Sequence, residues 1–106
     1  FEIHSVAQHM HLLGRSGRTW VERADGSNQC LLQLDDWDFG WQESYQLTES
    51  LIVNPGDKLH LRCEWDNSAE AQPVIDGEQA PPIDVVWGEG TRDEMCLGVY
   101  YITAVN

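Results

Sequence analysis

Polar and apolar residues alternate along three short runs of this chain. In KLHLRCEW (58–65), Leu59, Leu61, Cys63 and Trp65 fall on one side, and Lys58, His60, Arg62 and Glu64 on the other. CLLQL (30–34) groups Cys30, Leu32 and Leu34, and WDFGW (37–41) groups Trp37, Phe39 and Trp41. A two-residue period is the pattern of a half-buried strand. MCLGVYYITA (95–104) predicts a last strand. Between the runs lie clusters of Gly, Pro, Asn and Asp: GRSGR, ADGSN, NPGD, DNSAEAQP, DGEQAPP and WGEGTRD. These are turn residues, and NPGD in front of 58–65 reads as a strand-entry turn, with Pro55 fixing φ and Gly56 free to take a positive φ. No longer segment holds a capped helical period, and no internal repeat is present. The pattern predicts one antiparallel β-sandwich.

A chain of 106 residues has room for one domain, spanning 1–106. Its apolar fraction of 42% and five Trp are enough for a core. No apolar run reaches the roughly 20 residues that a membrane helix requires. The start at Phe1 reads as a mature or excised piece of something longer. The formal charge of -12 disfavours nucleic acid and anionic membranes as partners and suggests a monomer. Cys30, Cys63 and Cys96 allow one disulfide and one free thiol, and no CxxC is available for a zinc knuckle.

The candidate chemistry begins at QHMHLLGR (8–15). On a strand, residues i and i+2 share a face, so His9 and His11 would present two imidazoles together, with Met10 turned away. That is an economical way to supply two metal nitrogens, and also a spacing that arises by chance. The other histidines fit less well: His60 falls on the polar side of its run, and His4 has the opposite parity. A third donor is left open among the carboxylates, Cys30 and the methionines, of which Met95, in TRDEMC, sits between a Gly-rich turn and an apolar run. The five residues Trp37, Phe39, Trp41, Trp65 and Trp87 read as core packing, and DDWD (35–38) as strand with exposed acids rather than a calcium loop.

HMHLLGR, WDFGWQESYQL, VNPGDKLHLRCEWDNS and WGEGTRDEMC, in that order, resemble the C-terminal domain of the copper type II, ascorbate-dependent monooxygenases, in a form like that of bacterial members. Peptidylglycine α-hydroxylating and dopamine β-monooxygenases belong to that family. The likeness runs from about residue 4 to 101. It implies an all-β sandwich of jelly-roll type, and one copper per chain on His9, His11 and Met95. In the family this copper meets dioxygen for substrate hydroxylation, and a second copper on a separate preceding domain supplies the other electron. Two neutral imidazoles and a thioether are a soft, low-charge set that favours Cu(I) and leaves positions open for dioxygen, peroxide or CO. Imidazole ligands must be neutral, so copper affinity is expected to fall below about pH 6. The resemblance also implies a Cys63–Cys96 disulfide, worth about 3–4 kcal/mol for a loop of this length in the chain-entropy account. An oxidising, extracytoplasmic location (periplasmic or secreted) follows. Cys30 is then expected as a buried free thiol beside Leu32 and Leu34.

Departures from the family pattern limit the expected function. In the peptide-amidating members, an Arg two residues before the first histidine ligand, with an Asn and a Tyr after DEMC, holds the substrate carboxylate. Here those positions are Ala7, Leu97 and Val99. No HH pair for a second copper occurs. The chain thus reads as the copper-binding half of a monooxygenase-like protein whose natural partner is the missing N-terminal copper domain, incomplete as an enzyme alone. The alternatives are a copper carrier without oxygen chemistry and an interaction domain with a vestigial site. A cupin reading fails because no glutamate follows HxH within LLGRSGR (12–18).

Overall fold

The computed structural model describes residues 1–106, which form eight strands and no helix. They are β1 (Glu2–His9), β2 (Gly14–Glu22), β3 (Asn28–Leu34), β4 (Ser44–Ile52), β5 (Lys58–Trp65), β6 (Val74–Ile75), β7 (Glu78–Gln79) and β8 (Leu97–Thr103). One three-stranded antiparallel sheet runs β4-β1-β8, a second runs β3-β2-β5, and β6-β7 is a short hairpin. The inward residues of the two large sheets meet in the core: Ile3 and Val6 from β1, Val21 from β2, Leu32 from β3, and Leu51 and Val53 from β4 and its end. Leu31, Leu34, Tyr45, Leu47 and Tyr100 pack around them. The fold is the all-β sandwich expected.

Two cross-links join the layers beyond this core. Cys63 on β5 is bonded to Cys96, just ahead of β8, so the disulfide spans from one sheet to the other. At the opposite end, Asp57 accepts hydrogen bonds from Asn54 N (2.9 Å), Ala24 N (3.1 Å) and the Arg23 guanidinium (2.7 Å). The Asn54 amide, then Arg23, hold its carboxyl below the usual carboxylate range. The NPGD turn is as the sequence predicts: Gly56 has φ 90°, and Asp57 N donates to Asn54 O at 3.1 Å.

Several expectations are corrected. Cys30 is exposed, not buried. Thr19 pairs with Leu32 and Trp20 with Cys30, so Leu31 is an extra residue in β3 and the parity flips between Leu32 and Cys30. WDFGW is not a strand. Gly40 N donates to Asp38 Oδ1 and Trp41 N to Asp38 O, so this aspartate folds its neighbours into a local turn. The aromatic residues do not fill the core either: Trp41 and Trp87 are 71% and 62% exposed, and Trp65 and Phe39 are also exposed. His60 is more than a solvated polar residue, since its ring stacks on Trp20 (4.8 Å, 5°) and contacts Glu22. The last strand is Leu97–Thr103, which leaves Met95 and Cys96 outside the ladder.

Candidate metal centre

β1 ends at His9, and the chain turns through Leu12 and Leu13 into β2, with Gly14 N donating to His11 O at 3.2 Å. Met10 is fully buried in this turn. The parity argument therefore holds two residues beyond the strand: Met10 is buried, and the rings of His9 and His11 meet edge to face, with centroids 4.9 Å apart at 79°. His11 is only 6% exposed. Its backbone carbonyl also accepts from Trp37 Nε1 at 3.1 Å. That contact requires Gly14, since a Cβ there would meet Trp37 Cδ1 at 2.7 Å.

The hydrogen bonds decide which ring nitrogens remain available. His11 Nδ1 lies 2.9 Å from the carbonyl of Asp93. A carbonyl can only accept, so Nδ1 carries the proton and the lone pair sits on Nε2. His9 Nδ1 lies 2.6 Å from Gln42 Oε1. The Gln42 amide nitrogen donates to Phe39 O at 2.9 Å, which fixes its oxygen toward His9. His9 Nδ1 is therefore also the donor. Both imidazoles keep Nε2 for a ligand, each with its orientation set by a partner on the far side of the ring.

The segment carrying Met95 runs alongside. His9 pairs with Leu97 and Ala7 with Val99. The ladder stops there, and beyond it His11 Nδ1 meets the carbonyl of Asp93, two residues before Met95. Half-buried Met95 follows Glu94, the one buried acid of the chain. Glu94 Oε1 accepts from Leu13 N (2.9 Å), and Oε2 accepts from His11 N (2.9 Å), Trp65 Nε1 (2.8 Å) and Met95 N (3.3 Å). Sequence reading missed Glu94 and Gln42. One acid among 18 carries no pattern of its own, and Gln42 meets His9 across a loop.

No group of three or more His, Cys, Asp or Glu side chains gathers as a metal cluster. Met95 lies on the segment that runs alongside His11, two residues after Asp93, whose carbonyl meets His11 Nδ1. Two neutral imidazoles with Nε2 unengaged fit a soft or borderline ion such as copper. The remaining histidines are used elsewhere: His4 Nε2 on Thr103 Oγ1 (2.7 Å) and His60 Nε2 on Glu22 (2.9 Å). The surroundings of His9 differ on its two sides. Ala7, Leu97 and Val99 share its face of the sheet, and Val99 is 58% exposed, so this flank is apolar and uncharged. Gln42, which His9 contacts, also lines a cavity of about 220 Å³ together with Asp36, Asp38, Glu43, Trp37 and Trp41.

The whole chain, residues 1–106, matches the family described as copper type II ascorbate-dependent monooxygenase, C-terminal domain. It is also similar to the DBH-like monooxygenase protein 2 of Mus musculus, with 28% identity over 93 residues, or 88% of this chain. The match spans 13% of that protein's length. The chain belongs to the copper type II ascorbate-dependent monooxygenase family, as a C-terminal domain, and the family is copper-dependent.

Proposed function

We propose that this member of the copper type II monooxygenase family holds one copper ion on His9 Nε2, His11 Nε2 and the Met95 thioether. We propose further that it is the substrate-side half of a larger monooxygenase. The observation that carries the reading is the pair of touching imidazoles, each with Nδ1 engaged and Nε2 left over. Copper bound there would supply one-electron chemistry toward dioxygen. The protein's own contribution is orientation. Asp93 O and Gln42 Oε1 hold both rings in the tautomer that ligation requires, and Trp37 fixes the His11 backbone. Sustained hydroxylation would need the second copper domain as electron source, so the isolated domain is proposed to bind copper without sustained turnover.

The flanks of His9 bear on the substrate of the parent protein. Ala7, Leu97 and Val99 offer no cation, and Asp36, Asp38 and Glu43 line the nearby cavity. Both features oppose a substrate held by its carboxylate, as in peptide amidation, and favour one that presents an apolar face. The disulfide supports an extracytoplasmic location, and no helix is long and apolar enough to cross a membrane.

Copper K-edge X-ray absorption on the Cu(I)-loaded protein tests the ligand set. Cys30→Ser serves as the background, because Cys30 is exposed and would compete as a thiolate. One sulfur and two imidazoles are expected, with the sulfur lost in Met95→Ile. Imidazole-only scattering, indifferent to Met95→Ile, would withdraw Met95 and reduce the site to a two-histidine copper binder.

A further inference from the structure

A buried carboxylate is tolerated when donors replace its water, and Glu94 has four donors within 3.3 Å. What sets it apart is where they come from. Two lie on the β1–β2 turn (His11 N and Leu13 N), one on the end of β5 (Trp65 Nε1), and one is the amide of Met95. The β1–β8 ladder stops at His9 and Leu97, short of both His11 and Met95. Past that point regular strand pairing no longer fixes the separation of the two segments. We infer that Glu94 is a positioning residue for the metal centre. Its Oε2 binds the backbone amides of His11 and Met95 to one atom, and so sets the distance at which an imidazole and a thioether can share an ion.

This rests on the ligand set proposed above, and it adds a role for a residue that touches no metal. The other links between the segments are of a different kind. The contact of Asp93 O with His11 Nδ1 orients a ring, and the Cys63–Cys96 disulfide anchors the chain beyond Met95 to β5. Neither joins the His11 and Met95 backbones directly. Glu94 also tolerates one conservative change. Three donors converge on Oε2 and only one on Oε1, so the amide of Glu94→Gln can turn its oxygen to the three-donor side and leave Leu13 N alone without an acceptor.

The test compares Glu94→Ala and Glu94→Gln in the Cys30→Ser background, with two readouts. In the metal-free protein, amide hydrogen exchange is expected to accelerate at His11, Leu13 and Met95 in Glu94→Ala, and at Leu13 alone in Glu94→Gln. Ala7 and Val99, inside the ladder, should keep their protection in both. In the Cu(I)-loaded protein, K-edge absorption should retain two imidazoles and lose the sulfur in Glu94→Ala, and regain the sulfur in Glu94→Gln. A full sulfur signal in Glu94→Ala, or unchanged exchange at His11 and Met95, would overturn the positioning role. Sulfur missing already from the parent protein would sink the Met95 ligand, and the exchange data alone would then decide whether Glu94 latches the two segments. Should Glu94→Ala fail to fold, Glu94→Asp, one methylene shorter, replaces it, with the same exchange and sulfur changes expected and the same results overturning the role.

Discussion

His11 lies in the turn after β1 and His60 on β5, and both are held by neighbours, but at opposite ends of the ring. His60 spends Nε2 on Glu22 at 2.9 Å and lays its face on Trp20. His11 spends Nδ1 on a carbonyl and keeps Nε2, although it is nearly buried. Exposure alone would favour His60 over His11 as a metal ligand, the reverse of the proposed site. What separates them is which nitrogen the fold has already used, and whether a second imidazole stands beside it.

That contrast is open to direct attack. His11→Ala is expected to abolish stoichiometric Cu(I) binding in a chelator competition, while His60→Ala leaves it intact; equal loss in both would erase the distinction. Gln42→Leu removes the acceptor that fixes the His9 tautomer, and Cu(I) affinity in the same assay should fall about 10–100-fold. Glu22→Gln should leave copper affinity unchanged and cost less than about 1 kcal/mol in urea unfolding, since the pair it breaks is about one-third exposed. Acid should also separate the two ends of the molecule. Asp57 and Asp25 have carboxyls held below the usual value of 3.8, Asp57 chiefly by the Asn54 amide and Asp25 chiefly by the Ser27 hydroxyl. A lowered folded-state value means that this stability is present above the unfolded value and lost as pH falls through the folded one. Circular dichroism should therefore report an intact fold down to about pH 4, while copper, for whose ligands protons compete, should leave at higher pH. Simultaneous loss of both signals would mean that copper release is unfolding, not ligand protonation.

Much of this arrangement is readable from the residues. The 58–65 run is β5 to the residue, and the turn at Asn54–Asp57 follows from Pro55 and Gly56. The facing of His9 and His11 follows from spacing, and the Cys63–Cys96 bond from resemblance. The failures have local causes. Cys30 is exposed because one bulged residue reverses the side of every position beyond it, and no alternation pattern announces a bulge. WDFGW alternates like a strand, yet Asp38 and Gly40 fold it into a turn, which leaves Trp41 on the surface. Glu94 could not be found at all, because its partners lie as many as 83 residues away in the chain.

The pairing of β8 with β1 also has a consequence in time. The two histidines leave the ribosome within the first dozen residues of this sequence, whereas Met95 and the strand that aligns it come last. A growing chain offers two imidazoles on one edge and nothing to complete them. The segment that carries Met95 reaches the histidine turn only when β8 docks against β1. On this ligand set, full metal loading is an event of completed folding, and an ion held by all three donors certifies that the last strand is in register.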